Sequence, residues 1–163
     1  DQLGVPFTLL KEVEKINRDQ MQRFIKVIRD ALWVLGEKKI AVWGLAFKNN
    51  TDDIRSSVAI ELVNALVAEG AHVTAYDPKG MDNAKGTPLA DKITFADSAM
   101  DCVDGAEALI IATEWPEFKH QDFAEVKQRM LAPMVFDGRN LLDPATMQEL
   151  GFTYRGIGRG QAL

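Results

Sequence analysis

The run Ile40-Ala41-Val42-Trp43-Gly44-Leu45-Ala46 carries no charge and lies between Lys39 and Phe47-Lys48. A strand with one wet face alternates apolar and polar residues, whereas a strand covered on both faces is apolar throughout, as in parallel sheets. Residues 40–46 are therefore predicted to form a buried strand. Downstream the period keeps switching. Ser57 to Glu69 spaces Ala59, Leu62, Val63 and Leu66 along one helical face, with Ser56 or Ser57 as N-cap and Gly70 as stop. His72 to Tyr76 reads as a second strand closed by Asp77-Pro78. Ile93 to Ala96 is a weaker third, reached through a polar stretch with room for one short helix. A helix over about 98–103 leads to the apolar run Ala108 to Thr113. Asp122 opens a helix to about Met130, with Glu125 three residues on as in a capping box. Met134 to Phe136 is a fifth strand, Asp143-Pro144 starts a last helix, and Phe152 to Gly156 closes the pattern as a short strand.

This alternation predicts an α/β fold: a Rossmann-like, doubly wound parallel sheet of about six strands, ordered 3-2-1-4-5-6 if it follows the common pattern. One long helix precedes it, from residue 6 to about 35, ended by Gly36 with Arg29 near its last turn. That helix carries two apolar stripes. Leu9, Val13, Ile16, Phe24, Val27, Ala31 and Val34 form one, and Met21, Ile25, Ile28, Leu32 and Leu35 the other. Two stripes imply two covered sides, one of them facing a partner. The division expected is a helical region over 1–36 and an α/β domain over 37–163.

Ligands of such sheets sit beyond the strands' C-terminal ends, which directs attention to four loops. The loop after the first strand lacks the G-x-G-x-x-G of a dinucleotide site: Gly44 stands alone, followed by Leu45, Ala46, Phe47 and Lys48. Asp77 occupies the place of a ribose acceptor, yet without the glycines it reads as a turn former with Pro78. The segment from Phe47 through Lys48, Asp52 and Asp53 to Arg55 is richer. Lys48 and Arg55 suit phosphate oxygens, the lysine as a point charge and the arginine as a fork. The alternative is a solvated loop with local salt bridges. After the fifth strand, Arg139 is a candidate for the same anion, or else a surface arginine beside a turn. Trp115, after the fourth strand, reads as a packing residue rather than a stacking platform.

Composition narrows the classes. At 163 residues, 47% hydrophobic and 26% charged, the chain can bury a full core. No apolar run reaches the roughly 20 residues of a membrane span. A net charge of −5 argues against nucleic acid and anionic membranes. The single cysteine, Cys102, has no disulfide partner in the chain and suits a reducing, cytoplasmic setting; it reads as a core thiol. His72 and His120 leave no metal-ligand spacing. No catalytic constellation emerges, and the opening Asp1 suggests a trimmed chain.

The string Gly44-Leu45-Ala46-Phe47-Lys48-Asn49-Asn50-Thr51-Asp52-Asp53-Ile54-Arg55-Ser56-Ser57 closely resembles the signature of the UDP-glucose/GDP-mannose dehydrogenase family. Thr113-Glu114-Trp115 with Phe118, Phe136-Asp137-Gly138-Arg139-Asn140, and the closing Gly151-Phe152, Tyr154 and Ile157-Gly158-Arg159 are similar to its UDP-glucose 6-dehydrogenase branch. The likeness covers about residues 39–159, with Val58 departing from a frequent proline. It implies a UDP-sugar-binding C-terminal domain preceded by a central, dimer-forming helix. It implies that Phe47, Lys48 and Arg139 contact the UDP-sugar, and that Arg55 contacts NAD held mainly by another domain. The family oxidises the sugar alcohol to a carboxylate in two NAD-linked steps on a cysteine in a Cys-x-Pro-Lys-Asp-like motif. Residues 1–6 resemble sequence just beyond that motif, so the chain is expected to lack the nucleophile and to be inactive alone, and no role passes to Cys102. UDP-glucose is the expected substrate. A UDP-N-acetylmannosamine or GDP-mannose dehydrogenase, and a non-catalytic nucleotide-binding module, are the alternatives.

Overall fold

The structure, a computed structural model, describes residues 8–159. It divides into two compact units between Trp33 and Val34. The first is helix α1 (Thr8–Leu32), in which Phe24, Ile25 and Ile28 are buried while Leu9, Leu10, Val13 and Ile16 stand exposed. Arg29 lies in the last turn as expected. Gly36 does not end this helix. It stops at Leu32, because Trp33 takes a left-handed φ of 64° and its N–H donates to the Arg29 carbonyl at 2.8 Å. That closure usually falls to glycine or asparagine, so nothing in the local sequence marks it. Residues 6 and 7 lie outside the described range.

The second unit runs β1 (Lys39–Trp43), α2 (Val58–Ala68), β2 (His72–Tyr76), α3 (Met81–Lys85), β3 (Thr94–Phe95), α4 (Ala99–Cys102), β4 (Ala108–Ile111), α5 (Pro116–Lys119), α6 (Phe123–Arg129), β5 (Met134–Asp137), α7 (Pro144–Glu149) and β6 (Thr153–Gly156). The six strands form one sheet in the order β3-β2-β1-β4-β5-β6, and every pairing is parallel. The predicted architecture and strand order are both found. Ser57 caps α2 by accepting from Ala59 N–H, and Asp122 and Asp143 cap α6 and α7. Helix α5 had no signal in the sequence beyond Pro116 at its first turn.

The central strands are buried on both faces. Ala41, Trp43, Leu109, Ile111 and Val135 join the core formed with α4, α5 and α6, where Trp43 stacks on Phe118 at 5.2 Å between centroids. Their neighbours of opposite parity, Ile40, Val42, Ile110 and Phe136, are as fully buried. The indole Nε1 of Trp43 donates to the Ala99 carbonyl at 2.9 Å, so the largest core side chain leaves no polar atom unpaired.

Register places the functional edge. Tyr76, Trp43, Ile111, Asp137 and Gly156 lie in one row across the sheet. The loops after β2, β1, β4 and β5 therefore leave from one rim. Strand β1 ends at Trp43, short of the predicted Ala46, because Gly44 turns the chain with φ 99°. A Cβ there would meet Thr113 Cβ at 2.5 Å and Thr113 N at 2.6 Å. Gly44 thus serves close packing between two adjacent loops.

Gly44→Ala should destabilise the fold by about 3 kcal/mol or more, combining a strained φ with a backbone clash. Gly105→Ala is the matched comparison, since Gly105 also has positive φ (68°) but open space around it. It should cost only about 1 kcal/mol. Urea unfolding of both variants measures the difference; equal losses would show that the Thr113 contact does not matter.

Candidate functional site

A buried carboxylate organises the rim. Asp77, at the end of β2, is 1% exposed. Its Oδ2 accepts from the backbone N–H of Leu45 (2.7 Å) and Ala46 (2.9 Å) and from Trp115 Nε1 (3.0 Å). Its Oδ1 accepts from the N–H of Lys79 (2.9 Å) and Gly80 (2.7 Å). Asp77 does form the turn expected with Pro78, and it also ties the β1 and β4 loops to β2. Thr113 completes the tie by donating its hydroxyl to the Ala46 carbonyl at 2.8 Å. Trp115 is a buried packing residue as predicted, anchored by its indole N–H.

A second carboxylate does the same for the β5 loop. Asp137 is fully buried, accepts from Arg139 N–H and Leu142 N–H at 2.9 Å each, and receives the Tyr154 hydroxyl at 2.8 Å. Burial, then the charge of Asp137, pushes the Tyr154 phenol above its ordinary pKa. Neither aspartate was singled out from the sequence as a loop organiser. The signal was present: each stands at the C-terminal end of a strand, where a buried carboxylate must find several donors.

The four predicted contact residues fall into two groups. Phe47 is 48% exposed and its N–H donates to the Asp53 carbonyl at 2.8 Å, which closes the 47–53 loop at its base. Lys48 is exposed and makes no hydrogen bond or ion pair with a described residue. Beside it, Asn49 Nδ2 donates to the Glu114 carbonyl at 3.3 Å. Arg139 reaches the same residue from the β5 loop: its Nε donates to the Ala112 carbonyl at 2.8 Å and lies 3.3 Å from Glu114 Oε2. Among the described residues the two terminal nitrogens of Arg139 have no hydrogen-bond or ion-pair partner. The Lys48 and Arg139 loops thus converge on the β4 loop between them.

Arg55 stands on the other flank. Asp53 grips it from Oδ1 to Nε at 2.9 Å and from Oδ2 to Nη2 at 2.8 Å, and the arginine is 88% exposed. So open an ion pair adds little stability; it fixes direction. Arg55 borders an open cleft of about 570 Å³ with Thr51, Asp52, Ile54, Asn83 and Thr87, and Asn83 on α3 supports the loop through the Asp52 carbonyl at 2.8 Å.

The rim does not suit a dinucleotide bound in the usual way. That mode needs free amides after β1 and a free acid after β2. Here the Leu45 and Ala46 amides are spent on Asp77, and Asp77 is spent on them. Cys102 is buried, its Sγ lies 3.3 Å from the Thr74 carbonyl, and burial pushes the thiol up to about 12. Among the described residues no group of acids, histidines or cysteines is placed to hold a metal, and no helix is long and apolar enough to cross a membrane.

The chain is similar to nucleotide-sugar dehydrogenases in sequence and fold. Residues 41–144 match the UDP-glucose/GDP-mannose dehydrogenase family, UDP binding domain. The UDP-glucose 6-dehydrogenase of Pseudomonas aeruginosa is 38% identical over 167 residues, covering 99% of this chain and 37% of that protein. That of Rhizobium meliloti is 41% identical over 156 residues, covering 94% and 35%. Among solved structures, a UDP-glucose dehydrogenase from Pyrobaculum islandicum superposes with a TM-score of 0.80 at 30% identity, over 96% of this chain and 33% of that one. The UDP-D-ManNAc dehydrogenase of Pyrococcus horikoshii gives 0.79 at 31%, over 97% and 35%. The chain spans 35–37% of the length of these two curated relatives.

The clasp on Arg55 can be read by titration. Hydrogen bonds from the Arg55 side chain, then from its backbone N–H, lower the Asp53 pKa to about 2. The clasp is therefore complete at neutral pH and is lost only as pH falls through about 2. In Arg55→Ala the Asp53 midpoint should rise toward the ordinary value of about 3.9. Carboxyl carbon shifts followed by NMR check this; an unchanged midpoint would mean that Asp53 is held by something else.

Proposed function

The chain belongs to the UDP-glucose/GDP-mannose dehydrogenase family and carries its UDP binding domain, and we propose that it is the substrate-binding part of an NAD-dependent UDP-glucose 6-dehydrogenase. One observation carries the reading. At the rim of the parallel sheet, Asn49 beside Lys48 and the Arg139 side chain both reach the β4 loop, Lys48 and the Arg139 terminal nitrogens have no partner among the described residues, and the Leu45 and Ala46 amides are already taken. A ligand with two adjacent phosphates fits two side-chain cations better than it fits an amide cradle.

In this reading Lys48 and Arg139 neutralise the diphosphate and the exposed Phe47 ring packs against the sugar nucleotide. The chain's role is to bind and orient. It excludes water from one wall of the cleft and fixes where the sugar carbon lies. Arg55, turned to the other flank, meets NAD that is held mainly by a domain outside residues 37–163. The reaction would convert UDP-glucose to UDP-glucuronate, a precursor of polysaccharide, in the cytoplasm. Residues 1–36 would form part of a dimerising helix, with a second copy covering Leu9, Val13 and Ile16. UDP-N-acetylmannosamine is the rival substrate, favoured by the Pyrococcus structure, which superposes about as well as the glucose enzyme.

Lys48→Ala in the complete enzyme should raise KM for UDP-glucose about tenfold to a hundredfold, the loss of about 1.5–3 kcal/mol from a charge-assisted contact. KM for NAD should hardly move, and Arg55→Ala should show the reverse. Steady-state kinetics with each ligand varied decides, and equal losses for both would overturn this division. With UDP-glucose and NAD the 163-residue chain alone should form no NADH; measurable turnover would contradict the assignment of chemistry elsewhere. Faster turnover of UDP-N-acetylmannosamine or GDP-mannose by the complete enzyme would displace glucose as the substrate.

A further inference from the structure

Asp77 has no access to a ligand, yet it controls the residues that do. We infer that Asp77 is a positioning residue for the sugar-nucleotide site: its carboxylate is a built-in anion that fills the amide nest following β1 and fixes the loop presenting Phe47 and Lys48. The inference rests on the substrate reading above only for the identity of the ligand.

Three observations support it. First, the amides of Leu45 and Ala46 emerge from the end of β1 where no strand can pair them, and a buried N–H without a partner is costly. Asp77 Oδ2 takes both. Second, the same oxygen takes Trp115 Nε1, so one atom joins the β1 and β4 loops. Ala46 is then held from both sides, its N–H by Asp77 and its carbonyl by the Thr113 hydroxyl. Phe47 and Lys48 follow directly, and the Phe47 N–H is itself fixed on the Asp53 carbonyl. Little slack separates the carboxylate from the lysine. Third, the other oxygen is seated on Lys79 and Gly80, and a Cβ at Gly80 would come within 3.2 Å of Asp77 Oδ1. The carboxylate is thus confined from β2 as well.

Asp77→Asn keeps the shape and breaks the pattern. Whichever way the amide is turned, its NH₂ faces other N–H donors, either the Lys79 and Gly80 amides or the Leu45 and Ala46 amides with the Trp115 indole. Trp115→Phe is milder, removing one donor and keeping an aromatic ring. In the complete enzyme Asp77→Asn should raise KM for UDP-glucose about tenfold and leave KM for NAD within about twofold. Trp115→Phe should shift the same constant about threefold in the same direction, and it decides the matter if Asp77→Asn does not fold. Amide hydrogen exchange should quicken at least tenfold at Leu45 and Ala46 in Asp77→Asn, with Val42 and Trp43 unchanged. Glu107→Gln, on the far side of the sheet where Lys38 and the Lys39 N–H meet it, should alter neither constant. Faster exchange with unchanged KM would reduce Asp77 to a structural role, and equal rises in both KM values would refute positioning. Exchange needs no ligand, so unaltered protection at Leu45 and Ala46 would defeat the inference even if the substrate proves to be another sugar nucleotide.

Discussion

A carboxylate removed from water must collect hydrogen-bond donors, and five converge on Asp77. Two of them, the Leu45 and Ala46 amides after β1, are those a dinucleotide site would keep for phosphate. Satisfying one buried charge therefore removes the backbone as an anion receptor at the middle of the rim. The approach of Gly44 to Thr113 makes this possible, because only a glycine lets the β1 loop lie so close to β4. An anion that binds beyond β1 finds the Leu45 and Ala46 amides already taken.

The side chains available are of two kinds, and their surroundings separate them. Arg139 is drawn back onto the Ala112 carbonyl and Glu114, whose own carbonyl takes Asn49 from the loop that carries Lys48. Arg55 is turned by Asp53 toward the cleft beside α3. A guanidinium held through Nε still offers its terminal nitrogens, and a lysine can swing to meet a phosphate as a point charge. In the proposed reading, the two cations beside the β4 loop would meet a diphosphate and the third, held apart, a different anion. A sheet with Rossmann topology would then serve a nucleotide without the glycine fingerprint.

Much of this was legible in the sequence. The uncharged runs of β1 and β4 announced a sheet covered on both faces, and the alternation with helices carried the strand order. Position drew attention to the cationic loops but left them balanced against solvated loops with local salt bridges, and only the resemblance to the family gave their residues roles. What was not legible turns on individual backbone states. Trp33 ends α1 in a left-handed conformation that its side chain disfavours, while the expected stop, Gly36, has no positive φ. Strand β1 looked as if it ran to Ala46, because Leu45 and Ala46 are as apolar and buried as the strand itself; only their amides, turned to Asp77, show that the ladder has ended. Asp77 read as a turn residue, since sequence shows a strand ending in aspartate but not the donors that gather on it from three separate loops.

The most direct test is a crystal structure of the complete enzyme with UDP-glucose. The diphosphate oxygens should lie within about 3.2 Å of Lys48 Nζ and an Arg139 terminal nitrogen, with Asp77 still on the Leu45 and Ala46 amides. A diphosphate seated on those amides, with Asp77 displaced and the two cations turned to solvent, would contradict the account.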